Sequence, residues 1–331
     1  MTASISVEPA VVRWPMRKPF KVSGYTWHEM AVLQVAITRD GHLGRGEGAP
    51  LFYRAETAED LCTAVRSLGS KLPADALEPG WVESLDLPGG ARNALDCALW
   101  DLNAKLSGMR VHQLLDCPEP QPLNTVVTVS IDEPDIMARH AKALLGWPVL
   151  KLKLGRTAKD ADRIAAVREA NPDSELIVDA NCGWSRDELE SLSDTLIDAR
   201  VAMLEQPLHP DDDHALAGLH FPFPLCADES CQAKADLPRL AGSYQMINIK
   251  LDKCGGLGPA ISLAEAAAQR GFELMIGNML GSSLAMAPAH LVGQRCRYVD
   301  LDGPLNLAED EAPPMRFDGA RIYPASPTLW G

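Results

Sequence analysis

What most constrains the fold of this chain is a rhythm that begins near Asn124. Short apolar or β-branched runs occupy residues 125–131, 149–154, 175–180, 202–205, 225–227, 246–251, 273–276 and 298–301, and helical patterns separate them. Segments 160–170 and 257–270 are two of those helical stretches, with Asn171-Pro172 and Gly271 as stop signals. A spacing of about 20–30 residues suits strand-plus-helix units. Eight strands so connected predict a parallel (β/α) barrel rather than an open sheet. The first hundred residues have a different texture. Residues 31–38 read as a strand, Asp40-Gly41 as a hairpin turn, and 5–13 as a partner strand. Residues 58–72 and 91–106 read as helices, the second with Leu95, Leu99, Leu102 and Leu106 at helical spacing. Strands followed by helices predict a small α+β domain. The tail after Pro304 lacks the barrel rhythm and is expected to return to that domain.

Charge and composition exclude some functions. A net charge of −14 is the wrong sign for a nucleic-acid surface. No apolar run reaches the roughly 18 residues of a membrane span. The first 14 residues lack the roughly 7–15-residue apolar core of a signal peptide, so a cytoplasmic location is expected. The eight cysteines include no Cys-x-x-Cys pair and read as reduced thiols.

In a parallel barrel the working residues sit where the strands end at the C-terminal face. Asp179, Glu205 and Asp228 each close an apolar run, on consecutive strands by this count. Singly, each would read as a helix N-cap. Together they predict oxygen ligands for a hard divalent ion, Mg2+ before others. Lys151 and Lys153 share one face of their strand by the period of two, and Lys250 ends a strand four further round. Burial, a neighbouring ammonium group and a metal ion are each expected to lower a lysine pKa and supply a neutral base. Two such lysines facing one carbon can add and remove its proton from opposite sides. The acidic loop His209-Pro-Asp-Asp-Asp-His214 reads as solvated surface, and the stretch from Gly277 to Ser283, with Met279, as a wall of the pocket.

Lys151-Leu-Lys153, Asp179-Ala-Asn181, Glu205-Gln-Pro207, Ala227-Asp228-Glu229-Ser230 and Asn248-Ile-Lys250-Leu-Asp-Lys253-Cys-Gly-Gly256, in this order, resemble the muconate-lactonising subgroup of the enolase superfamily. Residues 92–101 also resemble the helix that joins cap to barrel in that family. The resemblance implies an α/β fold: an α+β capping domain (1–118), a modified TIM barrel, (β/α)7β (119–304), and a C-terminal return to the cap (305–331). It implies Mg2+ on Asp179, Glu205 and Asp228, with Asn181 beside it. Lys153 and Lys250 would act as the two bases, and Lys151 would stabilise an enediolate.

Val299-Asp300-Leu301-Asp302-Gly303-Pro304 resembles the Asp-x-Asp motif of dipeptide epimerases, which implies that Asp300 and Asp302 hold a substrate ammonium group. The expected partners are then a small-molecule dipeptide, as in peptidoglycan peptide metabolism, and further copies of the chain. Nucleic acid and membrane are not expected. Muconate cycloisomerases, o-succinylbenzoate synthases and N-acylamino acid racemases share the lysines and are the alternative, and a non-catalytic binding barrel is a remote one. Members acting on Ala-Glu dipeptides carry an arginine on the first loop, and residues 20–28 here have none. Lys21 or His28 can replace it, or Tyr25 and Trp27 can line an apolar pocket.

Overall fold

The computed structural model describes residues 5–78, 80–155 and 158–331. The N-terminal part is an antiparallel sheet of β1 (Ile5–Val22), β2 (Tyr25–Arg39), β3 (His42–Gly48) and β4 (Lys71–Leu72), in the order β3-β2-β1-β4. Asp40 and Gly41 both take positive φ, 51° and 79°, as the expected tight hairpin turn requires. The strand expected over 5–13 runs on to Val22, because residues beyond Arg13 keep pairing with β2 across a register slip between Pro15 and Phe20. The helix expected over 58–72 stops at Arg66: residues 71 and 72 pair instead with Ser6 and Ile5. Thr57 caps its start in a reciprocal bond with Asp60.

The long helix Gly89–Ser107 lies directly on β3. Three glycines at every second position make this possible. A Cβ on Gly44, Gly46 or Gly48 would stand 2.2, 2.1 or 2.0 Å from the backbone oxygen of Ala98, Ala94 or Gly90. The same helix seats the sheet on the rest of the molecule. Asn93 Nδ2 and Ala49 N–H both donate to Asp252 Oδ1 at 2.8 Å.

The C-terminal part is an eight-stranded parallel sheet. A short strand, β5 (Leu123–Asn124), precedes it. The sheet itself runs β6 (Val127–Val129), β7 (Val149–Lys153), β8 (Glu175–Asp179), β9 (Val201–Glu205), β10 (Leu225–Ala227), β11 (Met246–Ile249), β12 (Glu273–Ile276) and β13 (Tyr298–Val299), in unbroken sequence order. Val126 N–H donates to Val299 O at 2.8 Å and joins the first edge to the last, closing a barrel. Seven helical connections link the strands, the one after β9 being 3-10 (Pro210–Leu216). The architecture is the (β/α)7β barrel with an α+β cap. β14 (Phe317–Asp318) and β15 (Arg321–Ile322) pair with β5. The tail then reaches the long helix, where Gly331 N–H bonds Asp101 Oδ1 at 2.8 Å and Trp330 Nε1 bonds Cys97 O at 2.9 Å.

Side chains alternate along each barrel strand. Leu150, Leu152, Leu176, Val178, Leu204, Ile247 and Ile249 pack outward into the core shared with the helices. Ile177, Met203, Cys226, Met246, Met275 and Tyr298 point inward and pack together as an apolar floor. The next inward position along these strands is Asp179, Glu205, Asp228, Asn248, Gly277 and Asp300. One pleat above the floor, the barrel turns polar. Gly277 is the exception, since a Cβ there would meet Asn248 Oδ1 at 2.6 Å.

Candidate active site

The three carboxylates expected on adjacent strands converge. Asp179, Glu205 and Asp228 place one oxygen each within 4.8 Å of one another, and all three are buried. Such a cluster is untenable without compensating positive charge, and four lysines surround it. Lys153 Nζ lies 2.5 Å from Asp179 Oδ2. Lys250 Nζ and Lys253 Nζ each lie 2.6 Å from Asp228, on Oδ2 and Oδ1 respectively. Lys151, only 1% exposed, reaches Glu205 at 2.8 Å, Asp300 at 2.9 Å and Asp179 at 3.2 Å. Asn248 Nδ2 donates to Glu205 Oε1 at 2.7 Å, and Asn181 N–H to Asp179 Oδ1 at 2.9 Å.

The electrostatics differ from the sequence expectation on the lysines. Burial does push Lys151 down, but the carboxylates of Asp300, Glu205 and Asp179 outweigh it and hold the ammonium well above its usual range. Lys250 is likewise raised: burial opposes its charge, and Asp228 more than restores it. The expected lowering considered ammonium neighbours, whereas each ammonium here touches a carboxylate. Burial and then the Asp179 carboxylate push Glu205 up to about 7. Its Oε1 accepts Asn248 Nδ2, and its Oε2 faces the Lys151 ammonium at 2.8 Å. Three buried carboxylates with one oxygen each within 4.8 Å of one another fit a hard divalent cation.

Asp300 and Asp302 reach the same cavity, of about 300 Å3, on the last strand. Asp302 Oδ2 accepts Thr128 N–H at 2.8 Å. Burial, then Asp300, push Asp302 up to about 6. Asp300 Oδ1 is buried and has no donor among the described residues.

The cap closes the cavity from above with Phe20, Val22, Trp27, Met30 and Phe52, facing Met279 and Leu280 from the loop after β12. Met279 Sδ lies 3.6 Å from Lys250 Nζ. Trp27 lines the cavity, but Tyr25 stands outside it. Its ring stacks on Trp27 at 5.7 Å and meets Phe52 edge-on at 4.7 Å. Lys21 is tied to Asp132 at 2.7 Å, and neither it nor the exposed His28 is on the cavity wall. From the cap, Arg13 lies on the cavity wall, between Glu29 at 2.8 Å and Glu59 at 2.5 Å.

With that geometry in place, comparison with known proteins is decisive about descent. Residues 4–116 match the family described as "Mandelate racemase / muconate lactonizing enzyme, N-terminal domain", and residues 136–319 match "Enolase C-terminal domain-like". The chain belongs to the enolase superfamily. By that descent it is an isomerase. It is 39% identical to the L-Ala-D/L-Glu epimerase of Escherichia coli strain K12 over 94% of this chain and 97% of that one. An enolase family member from Agrobacterium tumefaciens with homology to dipeptide epimerases, solved with sodium and L-Ala-L-Glu, superposes with a TM-score of 0.92. It is 39% identical and covers 99% of this chain and 100% of its own. A dipeptide epimerase from Enterococcus faecalis, complexed with Mg and L-Leu-L-Tyr, gives a TM-score of 0.88 at 26% identity, over 98% of both chains.

Within this enolase-superfamily barrel, sequence reasoning assigned no role to Lys253, Asn248 or Arg13. Asn248 was detectable, since it shares the inward face of β11 with Lys250 at period two. Lys253 and Arg13 have no such signal, because their partners lie far along the chain. In the acidic loop 209–214, His209, Asp211, Asp212 and His214 are exposed as expected, and Asp213 departs. Asp213 is buried, and it accepts bonds from Ser230, Tyr244 and Arg239.

Proposed function

We propose that this isomerase is a dipeptide epimerase that inverts the α-carbon of the C-terminal residue. The observation that carries the reading is the placement of Lys153 and Lys250. Each sits on a different carboxylate of one buried cluster, four strands apart around the barrel mouth. A Mg2+ ion held by Asp179, Glu205 and Asp228 would supply positive charge that acidifies the α-carbon of a carboxylate substrate and offsets the carboxylate charge that now raises Lys250.

The chain's own residues account for the rest. Asp300 Oδ1 needs a donor, and with Asp302 beside it the natural donor is the dipeptide's free ammonium group. That anchor places the C-terminal α-carbon between the two lysines. One of Lys153 and Lys250 takes the α-proton, and the other, protonated, delivers one to the opposite face. Each such positioned group contributes roughly 10²–10⁴-fold. Lys151, held between Glu205 and Asp300, presents fixed positive charge to the enediolate oxygens, the kind of preorganised stabilisation that carries the largest share of such a barrier.

The second side chain of the substrate meets Trp27, Phe52, Met279 and Leu280. With Lys21 engaged by Asp132 and Arg13 already flanked by two glutamates, an apolar or aromatic C-terminal residue fits better than glutamate. The rival is L-Ala-L-Glu, supported by the Escherichia coli and Agrobacterium relatives, and it requires Arg13 to leave Glu29 and Glu59. A panel of L,L-dipeptides incubated in D2O with wild type and Lys250→Ala tests both points by mass spectrometry and chiral separation. Wild type should epimerise Ala-Leu or Ala-Phe faster than Ala-Glu, with one deuteron incorporated. The variant should lose epimerisation yet exchange the α-proton of one epimer only. Persisting epimerisation, or no exchange of either epimer in a folded and metal-bound variant, removes the two-lysine scheme. The eight cysteines form no disulfide among the described residues, which supports a cytoplasmic enzyme.

A further inference from the structure

Next to the carboxylates lies a buried polar cluster that takes no part in the proton transfer: Gln206, Asp213, Ser230 and Tyr244. Asp213 Oδ1 accepts from both hydroxyls, Ser230 Oγ at 2.9 Å and Tyr244 OH at 2.6 Å, while Oδ2 accepts Arg239 Nη1 at 2.7 Å. An ionised carboxylate can only accept, so both hydroxyl protons point at it. The hydroxyls are left with lone pairs for Gln206 Nε2, which lies 2.7 Å from Ser230 Oγ, 3.0 Å from Tyr244 OH and 2.9 Å from Leu208 O. This fixes which end of the amide faces which way. Gln206 Oε1 is thereby turned to the N–H groups of Asp228, at 2.9 Å, and Ser230, at 3.1 Å. Gln206 also follows Glu205 directly, in a left-handed conformation (φ 38°). One amide thus ties together the strand ends bearing two of the three carboxylates.

We propose that Asp213 is a positioning residue for the cation site: by setting the direction of this hydrogen-bond chain it holds Asp228 where its carboxylate meets those of Asp179 and Glu205. Asp213 touches neither substrate nor the reacting atoms. The proposal rests on the reading of those three carboxylates as the cation site. Outer partners of metal ligands typically change metal affinity by about 10–100-fold when removed.

The test is a calorimetric titration of MgCl2 into chelator-treated protein, with kcat at saturating Mg2+ and thermal unfolding measured in parallel. Asp213→Ala should weaken Mg2+ binding by about 10–100-fold, with kcat at saturating Mg2+ little changed. Asp213→Asn keeps an oxygen able to accept from both hydroxyls, while it loses the ion pair to the half-exposed Arg239 and turns an amide N–H toward its Nη1. It should restore wild-type Mg2+ affinity even where it lowers the melting temperature. Should Asp213→Ala fail to fold, Ser230→Ala decides, since it removes one link between Asp213 and Gln206 and should weaken Mg2+ binding several-fold. Wild-type affinity in Asp213→Ala or Ser230→Ala overturns the proposal, as does Asp213→Asn as weak as Asp213→Ala. If wild type itself binds no Mg2+, the cation site fails first, and that result is distinguishable from failure of the positioning role alone.

Discussion

Residue by residue, the site is a balance of buried charges in which each side chain answers to a partner. Asp302 shows how far the argument can be pressed. Its replacement by Asn keeps an acceptor for Thr128 N–H and removes only the charge. The KM for a dipeptide with a free amino group should then rise about tenfold, as expected for losing a charged hydrogen bond of roughly 1.5 kcal/mol. An N-acylated substrate, which has no ammonium group, should be turned over as well as before. Equal losses on both would show that Asp302 supports the fold and does not read the ammonium. The carboxylates, Lys153 and Lys250 were legible in the sequence because each ends an apolar strand, a place where a charge is costly without a task, and Lys151 because it shares a face of its strand with Lys153. Lys253, Arg13 and Asp213 were not, because their pairing depends on Asp228, Glu59 and Tyr244, which chain-local patterns do not bring near.

At the scale of elements, strands were easier to read than their limits. The barrel strands stood out as short apolar runs separated by helical stretches, while the helix after Thr57 ran short because residues 71 and 72 had a better partner in β1. The seat of the long helix on β3 gives a sharp test. Gly46→Ala places a Cβ about 2.1 Å from Ala94 O, a clash with backbone that no rotamer relieves. Stability measured by urea unfolding should fall by about 3 kcal/mol or more, at or beyond the usual range for overpacking.

The other end of that helix's contact surface carries a pH signal. Asp96 accepts Leu257 N–H at 2.7 Å, and burial pushes its carboxyl up to about 7. A folded pKa above the unfolded value contributes stability that is complete below the unfolded pKa of 3.8 and is lost as pH rises through about 7. Wild type should therefore lose stability relative to Asp96→Asn between pH 4 and about pH 8. Parallel urea curves for the two proteins would refute the assignment.

For the molecule as a whole, a cation bound by the packed carboxylates would be part of the stability balance. An ion that binds only the folded state stabilises by about 2.7 kcal/mol at a hundred times its Kd. The melting temperature should rise with Mg2+, fall on chelation, and become indifferent to Mg2+ in Glu205→Gln. A wild-type melting temperature unaffected by Mg2+ would remove the cation from the mechanism. Among the described residues no helix is long and apolar enough to cross a membrane. The division into sheet-and-helix cap and barrel followed from the change of rhythm near Asn124, whereas the return of the tail to Asp101 and Cys97 could be expected only from the absence of rhythm after Pro304.

The ladder of Gly44, Gly46 and Gly48 has a bearing on engineering. In the proposed function, Trp27 and Phe52, which meet the substrate side chain, stand on the cap, and the lysines that move its proton stand on the barrel. A designer would be tempted to graft Trp27 and its neighbours from one relative to another. What holds that first loop over the lysines is the helix pressed onto three missing side chains and fastened to Asp252. A transplanted cap will keep its aim only if β3 and the whole of Gly89–Ser107 travel with it as one piece.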